Sequence, residues 1–420
     1  MSQASTPTGP PQEVDVLVVG AGPGGSATAY HLARHGLEVL LVERARFPRE
    51  KVCGDGLTPR AVVALERMGI DTADPGFERV HGMLIYSRRV TLRLPWPSLD
   101  SFPDYGLVRT RSDFDELLAR RAEKAGARLH EGTEAVEPIL DGGWVRGARI
   151  RPTDGDEVTE VRARFVVAAD GAAGRFAAPA GVRRDARRPL GIAARRYYRI
   201  PREPVPWLEV WMDLWEGDLM LPGYGWLFPL PGGSVNLGAG LLNTFTKFKD
   251  VSAQRVFDAF ARSLPGEWEV GEDTAEGEMR SGPLPMGFNR GPAGVPGMLV
   301  VGDANGGVNP FNGEGIAYAI EYGELAAELI HEALVTERPG LAQLYPTMLR
   351  ERYGRYFFLG RRFVSLIGNP AIMRWSTDHG LPRERVMRFA LRMLGNLTDG
   401  RSGDLQDKLM YVLERLAPAA

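Results

Sequence analysis

The sequence predicts an α/β fold: a Rossmann-like dinucleotide-binding domain interleaved with an antiparallel-sheet domain and followed by C-terminal helices. Three observations carry this. Near the start, VDVLVVGAGPGGSATAYHLARHGLEVLLVE (14–43) sets Gly20, Gly22 and Gly25 between an apolar run and a helix-forming segment. Towards the other end, MLVVGDANGGVNPFNGEGI (298–316) passes from an apolar strand through Gly302-Asp303 into a Gly- and Asn-rich loop. Between Gly191 and Leu242 lie four β-prone stretches separated by Pro and Gly: IAARRYYRI, WLEVWMDL, YGWLFPL and SVNLGAGLL.

The elements follow in order. Val14 to Val19 is a buried-strand run, and Gly20-x-Gly22-x-x-Gly25 makes the turn. Ser26 to His35 has helical composition and Gly36 stops it. Leu37 to Val42 forms the next strand, ending at Glu43. This strand–turn–helix–strand context lifts the glycine pattern above chance, and Glu43 falls near the spacing expected of a ribose-binding carboxylate. Phe114 to Ala125 reads as a helix with Leu117 and Leu118 turned inward, and Arg164 to Ala169 as a strand. The four β-prone stretches predict an antiparallel sheet. A helix opens near Gly313, and Leu341 to Leu416 is mostly helical. The boundaries expected are a dinucleotide domain at 13–80, 105–182 and 292–335, and a substrate domain at 81–104 and 183–291. A helical region at 336–420 and a disordered Pro/Ser/Thr tail at 1–12 complete the chain.

A helix N-terminus offers unpaired N–H groups and the positive end of a dipole, which suits a phosphate or an electron-rich ring edge. Two such elements at opposite ends of one fold predict a long dinucleotide clasped at both ends, and FAD fits better than NAD. With a single fingerprint taken by FAD, a nicotinamide donor has no second Rossmann domain. The electrons must come from transient visits of NAD(P)H or from a protein donor such as ferredoxin.

Composition narrows the rest. A chain of 420 residues can bury a large core. Its net charge of −2 makes no electrostatic case for nucleic acid. One cysteine rules out an internal disulfide and fits a reducing compartment. No apolar run reaches the ~18 residues of a spanning helix, and no signal-like segment precedes Val14, so the expected location is cytoplasmic. The six histidines show no metal-ligand spacing, and no metal site is expected.

Three segments carry a family resemblance: FPREKVCGDGLTPR (47–60), YGWLFPLPGGSVNLG (224–238) and NPFNGEGI (309–316). Together they resemble the geranylgeranyl reductase family of flavoproteins, whose fold is similar to that of p-hydroxybenzoate hydroxylase. The likeness runs from about Val14 to the C-terminus. It implies an FAD-dependent oxidoreductase that saturates an isoprenoid double bond in a prenyl lipid, the side chain of menaquinone foremost. The alternatives are geranylgeranyl diphosphate, a chlorophyll precursor and an ether lipid. It implies that Gly20, Gly22 and Gly25 let the backbone approach the FAD pyrophosphate, and that Glu43 takes the adenosine ribose with Arg44 beside it. Cys53, Gly54 and Asp55 would lie along the flavin, Arg111 would reach the cofactor, and Val136 would touch the adenine end. Asp303 would hold the ribityl or pyrophosphate region, with Gly315 and Ile316 placing a helix start at the flavin ring. Tyr224, Trp226 and Phe228 would line the cavity for a prenyl chain.

The residues themselves leave some roles open. Saturating an isolated alkene takes a hydride, which a reduced flavin supplies, and a proton from a weak acid in a site that excludes water. Cys53, with an unperturbed pKa of ~8.5, suits a proton donor, a lid residue packed on the flavin, or a buried thiol without a role. Lys51 nearby would favour the thiolate, against the donor reading. Tyr224 and Trp226, two apart on one strand face, suit either a cavity wall or sheet core. Two other functions compete: a flavin monooxygenase or halogenase of a small aromatic, and a non-catalytic prenyl-lipid carrier. A carrier would have no need of the intact Gly20, Gly22, Gly25, Glu43 and Asp303.

A polyprenyl lipid stays in the bilayer, so peripheral attachment to the inner face of the cell membrane is expected. From Arg350 to Arg392 ten Arg face three acidic residues, a local charge of +7, interspersed with Phe357, Phe358, Phe363, Ile367 and Trp375. These are expected to form an exposed basic and apolar membrane-facing surface. The sequence holds no clue to oligomeric state.

Overall fold

The structure is a computed structural model, and it describes residues 10–418 apart from Arg89, Asp218, Pro222 and Lys247. Most of the expected disordered tail, 1–9, lies outside the described residues; Gln12 is tied down, its carbonyl accepting a hydrogen bond from Arg162 N at 2.8 Å.

An eight-stranded sheet is built on the parallel strands Met298–Val300, Thr159–Ala168, Glu13–Val19, Val39–Glu43 and Arg128–Glu131, in that spatial order. The hairpin Thr133–Asp141 and Trp144–Pro152 extends it antiparallel through Thr159–Ala168. Alternation sorts the first strand's side chains. Val16 and Val18 join a core with the helices Pro23–Arg34, Arg111–Lys124 and Ile316–Val335. Leu17 and Val19 point the other way, against Val145, Ala148 and Ile150 of the hairpin. Covered on both faces, these strands are continuous apolar runs, as parallel strands must be. Each fully buried Val or Leu contributes roughly 1.5–3 kcal/mol relative to exposure.

A second, seven-stranded sheet runs in the order Ala275–Pro285, Leu190–Tyr198, Val235–Leu242, Tyr224–Pro229, Leu208–Trp211, Gly82–Tyr86, Thr91–Pro95. It is antiparallel except where Leu208–Trp211 runs parallel to Gly82–Tyr86. The helix Ala253–Ser263, capped by Ser252, presses Val256, Phe257 and Phe260 onto one face. A Cβ at Gly225 would sit 2.7 Å from the Phe260 ring, so glycine is needed for that contact. The opposite face looks into the cavity described below.

The C-terminal helices Arg355–Ile367, Pro370–Trp375, Glu384–Gly395 and Leu405–Leu416 lie beyond Tyr345. Tyr345, Tyr353 and Tyr356 plug into the core beside Tyr318 and Tyr322. Behind them Glu321, 4% exposed, is ion-paired with Arg60 and accepts from Tyr353 Oη at 2.7 Å.

Several sequence expectations need correction. The first helix begins at Pro23, because Pro suits the first helical turn. The helix expected from Phe114 begins at Arg111, where an Arg111–Asp115 ion pair spans its first turn; Leu118 is fully buried but Leu117 only partly. The helix expected near Gly313 begins at Ile316, since residues 309–315 are held as a loop by their own hydrogen bonds. Phe357, expected on an exposed surface, is fully buried against Tyr318 and Phe288. Phe358, Phe363 and Ile367 are partly covered, and of the five only Trp375 stands out, at 64% exposure. Arg361 is also less surface-like than its sequence suggests: its Nη1 donates to the Gly287 carbonyl at 3.1 Å. No described helix is long and apolar enough to cross a membrane.

Candidate active site

One cavity of about 1110 Å³ runs between the two sheets and beneath the C-terminal helices. Its polar end is the glycine turn. Gly20 has φ +98°, and a Cβ there would stand 2.5 Å from the Ala169 carbonyl oxygen; one at Gly25 would collide with the Gly20 carbonyl at 1.8 Å. Those two glycines are required by the turn itself. Gly22 differs: a Cβ there would meet only Arg49 Nη2, at 3.7 Å, and would project into the cavity. It is the position where bare backbone leaves room for a ligand. The helix Pro23–Arg34 behind it has no side-chain N-cap, leaving its first N–H groups for an anion.

Glu43 ends the second strand, where its Oε2 accepts from Ala21 N at 3.0 Å and its Oε1 from Ala45 N at 3.1 Å. Arg49, which the sequence reading passed over, bridges Glu43 at 3.3 Å and the fully buried Asp115 at 2.8 Å. Arg44 and Val136 line the cavity at the same end. These features suit a dinucleotide: bare glycine backbone, an uncapped helix start and a carboxylate at a strand end, with room beyond for a second half.

In the middle of the cavity Lys51 Nζ lies 3.6 Å from Asp303 Oδ2. Lys51 is thus drawn towards a carboxylate rather than left to stabilise a thiolate at Cys53. The Cys53 thiol is instead pushed above its usual range by burial, with Arg111 opposing and the Asp55 charge adding to the rise. It is therefore protonated at neutral pH, the opposite of what Lys51 alone suggests. Arg111 stands between Cys53 and Asp115, donating to both Asp115 oxygens at 2.7 and 2.8 Å. Gly315 precedes the helix Ile316–Val335, again with no side-chain cap, and a Cβ there would be 3.2 Å from Asp303 Oδ1.

Asp55 does not line the cavity but holds the turn that does. It is fully buried with φ +67°. Its Oδ2 accepts from Asn236 Nδ2 and Tyr197 Oη, both at 2.8 Å. The same Asn236 amide donates to the Cys53 carbonyl at 2.9 Å, while Asn236 Oδ1 accepts from Trp226 Nε1 at 3.0 Å. One buried network thus ties the Cys53 turn to the aromatic strand. Burial pushes the Asp55 carboxyl up to about 6, against the pull of the Asn236 and Tyr197 hydrogen bonds and the Arg195 and Arg111 charges.

Tyr224, Trp226 and Phe228 alternate onto the cavity face of their strand. In the paired strand, Trp226 lies opposite Gly238 and Tyr224 opposite Gly240. A Cβ at Gly238 would sit 2.1 Å from the indole, so the ring lies flat over bare backbone. Residues the sequence reading assigned to a separate helical region close the apolar end: Phe363, Met373, Trp375, Leu381, Met387 and Leu391 all line the cavity. Phe363 and Trp375 were expected only on a membrane-facing surface, and the other four carried no assignment. Thr58 and Glu314 also reach the cavity and carried no assignment, although Glu314 is the lone acid in the Gly-rich loop. Among the described residues no three His, Cys, Asp or Glu gather as metal ligands would.

Comparison with known proteins agrees with this geometry. A family model described as an FAD binding domain matches residues 13–213. The menaquinone reductase of Mycolicibacterium smegmatis is 36% identical over 392 residues, covering 93% of each chain. The digeranylgeranylglycerophospholipid reductase of Thermoplasma acidophilum is 33% identical over 346 residues, 81% of this chain and 84% of its own. A crystal structure of a geranylgeranyl bacteriochlorophyll reductase-like protein from Thermoplasma acidophilum superposes with a TM-score of 0.74 at 27% identity, covering 91% of this chain and 96% of the other. The chain belongs to the geranylgeranyl reductase family of FAD-dependent oxidoreductases.

Proposed function

We propose that this chain saturates an isoprenoid double bond in the side chain of menaquinone, taken from the inner face of the cell membrane. The observation that carries the reading is the continuity of the cavity. A polar dinucleotide end leads without a wall into an apolar end lined by Tyr224, Trp226, Phe228 and the C-terminal helices. Similarity to the M. smegmatis menaquinone reductase along nearly the whole chain supports menaquinone. Similarity to an archaeal phospholipid reductase keeps an ether lipid as the second reading.

FAD, when bound and reduced, supplies the hydride. In this reading the residues of the chain do the rest. Gly20, Gly22 and Gly25 with the helix start at Pro23 receive the pyrophosphate, Glu43 the ribose with Arg44 beside it, and Val136 the adenine end. Asp303, Arg111, Gly315 and Ile316 hold the flavin half, and Cys53 and Gly54 face it on the turn fixed by Asp55. The aromatic strand orients the prenyl chain and excludes water. Cys53 presents a protonated thiol on that turn and is the candidate catalytic residue of the sequence reading. NAD(P)H or a ferredoxin-class protein delivers the electrons in turn.

Mass spectrometry of quinones from cells with and without the protein tests the assignment. A gain of two hydrogens in the side chain, dependent on the protein, supports it. Unchanged quinones alongside saturated ether lipids would move the assignment to the second reading. Oxygen consumption coupled to a soluble aromatic would point to a monooxygenase, and a colourless purified protein to a carrier.

A further inference from the structure

Glu314 lies in the loop between Asn309 and Gly315, and none of the roles above uses it. Its backbone is fixed: its N–H donates to Asn312 Oδ1 at 2.9 Å and its carbonyl accepts from Asn309 N at 2.8 Å. Its side chain is half satisfied. Oε1 accepts from Thr58 Oγ1 at 2.7 Å, whereas Oε2 is buried without a hydrogen-bond partner. The residue lines the same cavity as Cys53, Tyr224 and Trp226. Just before it, a Cβ at Gly313 would stand 3.3 Å from the Tyr224 hydroxyl, so the loop abuts the aromatic wall.

We propose that Glu314 is a catalytic acid of this cavity, delivering the proton on its Oε2 to the prenyl double bond. This rests on the prenyl-reductase reading. A buried carboxylate with one oxygen unpartnered is disfavoured relative to the neutral acid, and because Glu314 lines the cavity, a turn about its last side-chain bond would bring the acid O–H to face a bound chain. Burial pushes this carboxyl up to about 7; the Thr58 hydrogen bond and the Arg60 charge oppose, Glu321 adds to the rise, and the Asn312 side chain opposes it. Arg60 cannot fully neutralise Glu314, because it is ion-paired with Glu321. The other titratable groups around it are Tyr318, on the helix that follows, and Tyr224 and Cys53 on the cavity wall. An acid titrating near the working pH transfers a proton more readily than a thiol held above its usual range.

The step balances. One alkene carbon takes the hydride with its two electrons from reduced FAD, which NAD(P)H or a ferredoxin-class donor re-reduces. The π pair forms the second C–H bond with the proton as the Oε2–H bond breaks. The carboxylate left behind is steadied by the Thr58 hydroxyl and the Arg60 charge, and regains its proton from water before the next turnover.

The test uses full-length, FAD-loaded protein, detergent-solubilised menaquinone with a four-isoprene chain, and dithionite as reductant. Glu314→Gln should lower the rate of side-chain saturation about 100-fold or more, with flavin content and flavin reduction unchanged. Wild-type turnover should fall as pH rises through about 7, because the acid form is the active one. Glu314→Asp should restore part of the activity and keep a falling limb. Independently of turnover, infrared difference spectra should show a protonated-carboxyl band that fades across that range and is missing in Glu314→Gln. Wild-type rates in Glu314→Gln, or no such band, would overturn the proposal. If Glu314→Gln loses its flavin, the wild-type profile decides: a flat rate from about pH 6 to 9 overturns it. Collapse in Cys53→Ser with Glu314→Gln active would make the thiol the donor instead. A wild-type protein that saturates no prenyl chain sinks the functional reading itself, an outcome distinct from failure of the variant alone.

Discussion

Gly22 and Asp55 show how single residues set the site. At Gly22 the turn itself does not demand glycine: its φ is −76° and a Cβ would meet only Arg49, so the bare backbone leaves room that the proposed pyrophosphate would use. Gly22→Val should therefore leave the fold intact and block the approach of the pyrophosphate. The purified variant should be colourless with near-native melting once allowance is made for lost flavin; a yellow variant would contradict the assignment. Asp55 is the reverse case, a residue set by the fold. Its carboxyl is pushed up to about 6 from an ordinary 3.8, so the folded chain prefers it neutral. The resulting destabilisation is absent below about pH 4, grows between the two values, and is complete above about pH 6. Asn tolerates a left-handed backbone, and its side-chain oxygen can accept both existing hydrogen bonds. Asp55→Asn should thus gain stability relative to wild type as pH rises through that window, by roughly 2–3 kcal/mol at the top. Parallel melting curves of the two proteins from pH 4 to 7 would show Asp55 to be ionised in the fold at no cost.

At the scale of elements, the two strands Tyr224–Pro229 and Val235–Leu242 act as one device. Aromatics on the first lie over glycines on the second. The Trp226 indole is 4% exposed, faces the cavity and donates to Asn236. Cavity wall and sheet core, alternatives in the sequence, are here the same surface. Trp226→Ala should raise KM for a prenyl substrate and leave flavin content unchanged. It should also cost about 3–5 kcal/mol of stability, as large buried aromatics do on truncation. Denaturant unfolding with and without FAD measures the second effect. An unchanged KM would remove Trp226 from the prenyl wall. Trp226→Phe should keep most of the wall but strand the Asn236 oxygen, at about 1–3 kcal/mol.

On the proposed reading, the whole molecule meets a prenyl-lipid substrate at a bilayer. Trp375 and Val386 are exposed and also line the cavity, and Leu366 is exposed on the helix that carries cavity-lining Phe363. The apolar end of the cavity therefore reaches the surface among the C-terminal helices. We expect the protein to float with anionic liposomes and to be released by salt, since basic side chains near such a surface contribute ~1 kcal/mol each. Arg362→Glu with Arg374→Glu should weaken binding. Arg361 is left unchanged, because its guanidinium is engaged with the Gly287 carbonyl. Trp375→Ala should weaken the part that salt leaves untouched. No flotation at low salt would leave substrate capture to another surface.

The sequence by itself determined the local parts. Gly20-x-Gly22-x-x-Gly25 with Glu43 specifies a dinucleotide turn because only short-range backbone geometry is involved. The alternating YGWLFPL strand shows which side chains share a face. What those faces meet is decided by long-range packing. The same helical spacing that exposes Trp375 buries Phe357, because Tyr318 and Phe288 come from segments remote in the chain. Lys51 next to Cys53 reads as a thiolate partner until Asp303 arrives from the far end of the chain to take it. Glu314 gains its raised pKa only when the fold buries its side chain, with Thr58 and Arg60, remote in the chain, brought in to oppose the rise. Burial and charge pairing depend on distances across the fold, and a linear spacing carries neither.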